Sequence, residues 1–268
     1  MNDALLAAEK RLKEILAGYS PLAIAVSGGV DSLTLATVAH RVLPVAPLMV
    51  HAVSPAVPLA ATERVREMSG REGWSLREIS AGEFADPDYR ANPYNRCYFC
   101  KSNLYRSIRT ITDRRIASGA NLDDLSDYRP GLKAAAERDV VHPFVDASID
   151  KTTIRQIARV YQLHHYSDLP AQPCLASRVE TGLPIRAGDL SFIDEFESEL
   201  RQTLGELSTV RVRIRKPGVY VELGEMPDQE TAPVLEARAR RYCEQAGYAF
   251  VAITAYRQGS AFVNDKTT

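Results

Sequence analysis

Apolar positions along this chain follow two rhythms. Apolar runs at 22–26 and 46–53 have the length and composition of buried strands. Around them, apolar residues return every three to four positions at 4–16, 33–42, 63–73 and 151–161, the spacing of helices that bury one face. At 4–16 that spacing turns Arg11, Lys13 and Glu14 to water, and at 151–161 it collects Ile154, Ile157 and Val160 on one side. Further short strands are read at 75–79 and 115–120. Alternation of this kind implies parallel βαβ units, so the predicted fold is α/β, a doubly wound parallel sheet. Beyond Gly182 and Pro184 the rhythm changes. An amphipathic helix at 190–204 precedes strands at 209–214 and 219–223 around Lys216-Pro217-Gly218, then a helix at 233–245 and a strand at 249–254. These read as a small α+β domain, and the expected division is 1–185 and 186–268.

Composition narrows the class. With 33 basic and 34 acidic residues the net charge is −1, which offers no general field for nucleic acid. No apolar run nears the ~20 residues that a membrane span needs, and no hydrophobic signal segment is read at the start. The expectation is a cytoplasmic protein with no membrane contact, a setting in which structural disulfides are uncommon.

Ser27-Gly28-Gly29-Val30-Asp31-Ser32 lies between the run at 22–26 and the helix at 33–42. A buried strand, a glycine turn and a helix N-terminus present backbone N–H groups and a positive dipole end to an anion. Gly28 and Gly29 allow close approach, while Ser27 and Ser32 supply hydroxyls. Asp31 would repel a bare phosphate, so it suggests bound magnesium or contact with leaving pyrophosphate. The spacing is not the GxxxxGK[ST] of kinase-type and GTPase-type loops. The segment resembles instead the SGGxDS pyrophosphate loop of ATP pyrophosphatases, which adenylate a substrate. The bland alternative is a polar turn.

Four cysteines carry the second signal. Cys97 and Cys100 form a CxxC, Cys174 follows in Pro173-Cys174-Leu175-Ala176-Ser177-Arg178, and Cys243 sits in a helical stretch as a bystander. Three explanations stand open for the first three: an iron–sulfur cluster with one iron left free for sulfide, thiolate chemistry without a cluster, and incidental or zinc-binding cysteines.

Five motifs in order, SGGVDS, RCYFCK, the segment GANLDDLSDYRPG at 119–131, PCLASR and VRVR, make the chain similar to the LarE proteins. These are ATP-dependent sulfur transferases of nickel-pincer nucleotide biosynthesis. The resemblance implies that ATP adenylates the carboxylate of a pyridinium biscarboxylate mononucleotide and that sulfur then displaces AMP, leaving a thiocarboxylate. Family members with a single cysteine surrender its sulfur once. Those with all three hold a 4Fe-4S cluster that carries an extra sulfide from a donor, and this chain, with Cys97, Cys100 and Cys174, resembles the second kind. The order of events is chemically sound, because a carboxylate becomes a competent acyl donor only after coupling to a stable leaving group.

Other residues take candidate roles. Asn121, at a strand's carboxyl end, is read as a base or ribose contact, and the turn at 51–58 as a place for adenosine. Asp123 and Asp124 are read either as magnesium ligands with Asp31 or as an N-cap and first-turn acids. Arg129 is a candidate clamp for phosphate or carboxylate, and Lys101 for the AMP phosphate. Arg178, four residues past Cys174, is placed to lower that thiol's pKa or hold phosphate. The adjacent His164 and His165 are read as structural. Arg211, Arg213 and Arg215 share one strand face and repel unless an anion or acidic surface meets them. The resemblance makes Arg211 and Arg213 anion ligands where protomers of a homo-oligomer meet. The tail at 252–260 lacks the family's acidic residue, leaving Glu222 as a possible functional carboxylate. Two other functions compete: a tRNA thiolase with the same loop and cluster, which needs a basic path for RNA, and a non-enzymatic nucleotide or iron–sulfur sensor.

Overall fold

Strands β1 (Leu22–Ala25), β2 (Leu48–Ala52), β3 (Ser75–Ile79) and β4 (Arg115–Ala117) pair in the order β3-β2-β1-β4, all parallel. The structure is a computed structural model and describes residues 3–126, 129–170, 172–205 and 208–257. It divides into two units, Met1–Asp86 with Asn95–Gln172, and Pro87–Tyr94 with Pro173–Thr268.

In the first unit, successive residues of each strand feed opposite faces of the sheet, as the two-residue period requires. Leu22, Ile24, Met49 and Ala117 join one core with α1 (Asp3–Tyr19), α2 (Val30–Val42) and α3 (Leu59–Glu72). Ala23, Val50 and Ile116 join another with Leu104, Tyr105 and Ile108 of α4 (Arg96–Arg109) and Ala135 of α5 (Pro130–Ala136). Both faces are therefore covered, and the sheet is doubly wound. Helix α6 (Lys151–Val160) adds Ile154, Ile157 and Ala158 to the first core. Val160, expected on that face, is exposed, because Ala158 and Tyr161 complete the i, i+3, i+4, i+7 stripe instead. Helix α3 starts ahead of the expected residue 63, with Pro58 as its N-cap residue. Arg11, Lys13 and Glu14 face water as expected.

The second unit contains α7 (Ala187–Leu204), β5 (Val210–Arg215), β6 (Gly218–Leu223), α8 (Thr231–Gln245) and β7 (Phe250–Ala255). Its sheet runs β5-β6-β7, antiparallel in the hairpin and parallel after the α8 crossover. At Gly218 a Cβ would lie 2.3 Å from the Ala249 carbonyl oxygen, so only glycine lets β7 pass. Phe196 stacks on Tyr242 at 4.3 Å and Phe192 on Tyr248 at 4.2 Å, joining α7 to α8 and its following turn. The early segment Pro87–Tyr94 is fastened here by Asn92, whose side-chain amide donates to the carbonyls of Glu180 and Leu183, both at 2.9 Å. No described helix is long and apolar enough to cross a membrane.

Candidate functional site

The strand order of the first unit changes direction at β1: β2 and β3 lie on one side, β4 on the other. In open parallel sheets, ligands collect outside the carboxyl ends of the strands at such a switch point. Residues 27–32 leave β1 there and residues 118–121 leave β4 there. Two glycines let them converge. Gly28 has φ +80°, and Gly119 lies so close to α2 that a Cβ would sit 3.0 Å from the Ser32 nitrogen.

The turn is braced from within. The Ser27 N–H donates to Ser32 Oγ at 3.0 Å, the Ser32 hydroxyl donates to the Gly29 carbonyl at 3.1 Å, and the two hydroxyl oxygens are 3.1 Å apart. Helix α2 begins at Val30 behind Gly29, which offers no capping side chain, so its first N–H groups lack intrahelical acceptors and suit an anion.

Asn121 joins the turn to β4, its side-chain amide donating to Asp31 Oδ2 at 3.3 Å. The other Asp31 oxygen, Oδ1, is buried and has no hydrogen-bond partner among the described residues. Burial raises the Asp31 pKa; Asp124 and Asp123 add to this while Lys151 and Arg155 oppose it. A hard, orphaned carboxylate oxygen of this kind fits magnesium.

Asp123 and Asp124 follow the capping alternative. Asn121 Oδ1 accepts the Asp123 N–H at 3.0 Å, and Asp124 Oδ2 accepts the Asn121 N–H at 3.1 Å, a reciprocal capping box. Asp123 also accepts the Lys151 N–H at 2.7 Å, and Arg129 pairs with Asp124 at 3.0 Å. Within the long motif, Asp127 and Tyr128 lie outside the described residues, as do 258–260 of the tail.

Cys97 and Cys100 stand one turn apart at the start of α4, both half-buried. The spacing places them on one helix face. At Gly131 a Cβ would lie 3.1 Å from Lys101 Cγ and 3.7 Å from the Cys97 carbonyl oxygen, so Pro130-Gly131 seats α5 directly on the cysteine-bearing turn. Two histidines escaped the sequence reading. His51 is buried between the Val26 carbonyl (2.8 Å) and Thr62 Oγ1 (2.9 Å), and burial lowers its pKa. His142 meets Ser118 Oγ through Nδ1 at 2.8 Å. Neither lies in a recognisable motif; each is found only once the strand ends are placed. His164 and His165 are exposed.

In the second unit Cys174 is half-buried and precedes a single 3-10 turn, Leu175–Arg178. Arg178 is buried beneath this turn. Its guanidinium donates to the carbonyls of Pro173 (2.6 Å) and Cys174 (3.3 Å) and to Ser177 Oγ (3.0 Å), and forms a two-pronged pair with Glu197 at 2.9 and 3.0 Å. Burial would lower the Arg178 pKa, but Glu197, with a smaller contribution from Cys174, outweighs it and the net shift is upward. Glu197 also accepts from Arg201 at 2.6 Å and from the Val212 N–H at 3.0 Å.

The acidic surface that the arginine stripe requires is internal. Glu222 accepts from both Arg213 and Arg215 at 2.7 Å, and Arg213 also donates to the Ser177 carbonyl at 3.1 Å. Arg211 is buried, 5.7 Å from the Tyr256 ring, with its pKa lowered to about 10 by burial and by Arg178. Arg178 and Arg213 therefore hold three carbonyls of the segment that carries Cys174.

Among the described residues no three His, Cys, Asp or Glu side chains gather as a ready metal site. The donor chemistry of Cys97 and Cys100, paired half-buried thiols, suits iron–sulfur ligation. No protein-family model matches the chain. It is 37% identical to an uncharacterized protein of Synechocystis sp. over 218 residues, 80% of each chain. It is 28% identical to an uncharacterized protein of Methanocaldococcus jannaschii over 204 residues, 75% of this chain and 76% of that one. It is 26% identical to the pyridinium-3,5-bisthiocarboxylic acid mononucleotide synthase of Lactiplantibacillus plantarum, covering 99% of this chain and 97% of that one.

Proposed function

The chain belongs to the LarE-like family, and from that premise we propose that it is an ATP-dependent sulfur transferase acting on the carboxylate of a pyridinium mononucleotide. The observation that carries the nucleotide half is the convergence of the Ser27 to Ser32 turn and Asn121 at the switch point, with Asp31 Oδ1 left without a hydrogen-bond partner among the described residues.

In this reading the N–H groups at the start of α2 receive the leaving pyrophosphate, and Asp31 would hold magnesium, which when bound would neutralise phosphate charge. The substrate carboxylate attacks the α-phosphorus, giving an acyl-adenylate. Lys101 is assigned to the AMP phosphate and Arg129 to substrate phosphate or carboxylate. A sulfur nucleophile then attacks the acyl carbon and AMP leaves, so the product is a thiocarboxylate. Cys97, Cys100 and Cys174 are assigned to a 4Fe-4S cluster, which when bound supplies a site for an extra sulfide. Arg178 and Arg213 act as positioning residues that hold the backbone around Cys174, a support that keeps a reacting group in place.

Mass spectrometry tests the acceptor. With ATP, magnesium, sulfide and the biscarboxylated pyridinium mononucleotide, the nucleotide gains a sulfur-for-oxygen mass shift. No shift on the nucleotide, with thiolation appearing in a bulk tRNA control, replaces this reading by the tRNA thiolase. ATP binding without conversion to AMP would leave a sensor. Iron content of anaerobically purified protein tests the cluster: a colourless, iron-free preparation that still transfers one sulfur favours single-use donation from Cys174.

A further inference from the structure

His142 lies at the carboxyl end of the sheet in a place no motif marks. Its ring nitrogen Nδ1 is 2.8 Å from Ser118 Oγ, and Ser118 is the only hydrogen-bond partner of the ring among the described residues. Ser118 immediately precedes Gly119, which packs on the Ser32 nitrogen at the start of α2. The charges of Asp146, Asp124 and Lys101 act on the imidazole. Asp124 belongs to the Asn121 cap, and Lys101 adjoins Cys100 on α4. The imidazole thus stands beside the strand end that packs on the pyrophosphate turn, within the field of a lysine on the helix that carries the CxxC.

Sulfur transfer to an acyl-adenylate releases one proton. We propose that His142 accepts the S–H proton of the incoming hydrosulfide, an assignment that rests on the sulfur-transfer reading above. In the tautomer this role requires, Nδ1–H donates to Ser118 Oγ, which leaves the lone pair on Nε2. The proton passes to Nε2, the sulfur electron pair forms the C–S bond, and the C–O bond to AMP breaks with its electron pair leaving on the AMP phosphate. Geometry carries the assignment, and electrostatics agrees: burial lowers the His142 pKa, Asp146 and Asp124 oppose this, and Lys101 assists it, so the ring is neutral near pH 7.

The test separates the two half-reactions in the full-length protein. His142→Asn retains pyrophosphate release on addition of the pyridinium dicarboxylate but slows thiocarboxylate formation by about 100-fold or more. The rising limb of the wild-type pH profile for sulfur transfer disappears in this variant, and free imidazole restores part of the rate to His142→Gly. Equal slowing of both half-reactions overturns the proposal in favour of a structural role, and so does an unchanged pH profile in His142→Asn. Ser118→Ala, which keeps the imidazole, loses less than His142→Asn; an equal loss would also count against proton transfer. If the wild-type protein releases no pyrophosphate with this acceptor, the parent reading has failed, an outcome distinct from failure of the histidine alone.

Discussion

Gly28 lies so close to Ala61 that a Cβ on residue 28 would come within 2.4 Å of the Ala61 carbonyl oxygen. The positive φ of +80° adds a second barrier to any side chain. Gly28→Ala is therefore expected to cost about 1–3 kcal/mol of stability and to displace the turn from the end of α2. Urea unfolding reads the first effect and the dissociation constant for ATP the second. A variant that binds ATP normally would show that the turn tolerates the shift.

Asp31→Asn should stabilise the empty protein while removing its turnover. Burial raises the Asp31 pKa above its unfolded value, with Asp124 and Asp123 adding to it. A group raised in this way contributes its stability below the unfolded pKa and loses it as pH rises, so at neutral pH the ionised side chain is a cost. Replacing it by the neutral isostere is expected to gain about 0.5–2 kcal/mol in thermal melts and to abolish pyrophosphate release. A lowered melting temperature would contradict this account of the site.

Glu197 carries the opposite sign. Burial would raise its pKa, but Arg178, and after it Arg201 and Arg211, bring it below the ordinary glutamate value. Its contribution is present above the unfolded pKa and is lost as pH falls through the carboxylate range toward the lower folded value. Glu197→Gln leaves Arg178 buried without its counter-charge and is expected to cost about 3–5 kcal/mol. Denaturant midpoints measured from neutral to acidic pH should show the difference between wild type and variant shrinking as acid is added. A constant difference would mean that the charge contributes nothing.

The four cysteines should separate by alkylation. Cys243 is fully buried and its pKa is pushed up to about 11, chiefly by burial. Iodoacetamide at about pH 8 should label Cys97, Cys100 and Cys174 in iron-free protein and spare Cys243. Cys243→Ser should leave iron content and sulfur transfer unchanged, whereas serine at the other three positions should remove them. Rapid labelling of Cys243 in folded protein would contradict its burial.

Much of the fold was legible because its signals are local. The run at 22–26 is apolar throughout and the run at 46–53 is interrupted only by Pro47 and His51, so the strands buried on both faces declared themselves, and the short strand read at 75–79 is β3. Helix α4 was not read, since its buried Leu104, Tyr105 and Ile108 follow a first half in which residues 97–102, the CxxC among them, are all half-buried and form no periodic apolar stripe. The arginine stripe showed that an acidic surface was needed but not whose. Glu222 answers Arg213 and Arg215 from the neighbouring strand, a pairing fixed by hairpin register. Arg178 was read from its distance to Cys174 alone, and its commitment to Glu197 depends on a helix nineteen residues downstream.

Asn92 sets a limit on how this polypeptide can be shortened. It sits at φ +54° inside the first half of the sequence, yet the carbonyls that hold its amide come from residues 180 and 183. The smaller unit is thus no detachable appendage. A chain ending at Gln172 would keep Pro87–Tyr94 stripped of its partners, just ahead of the CxxC, and engineering by truncation or domain exchange must carry that early stretch along with the late one.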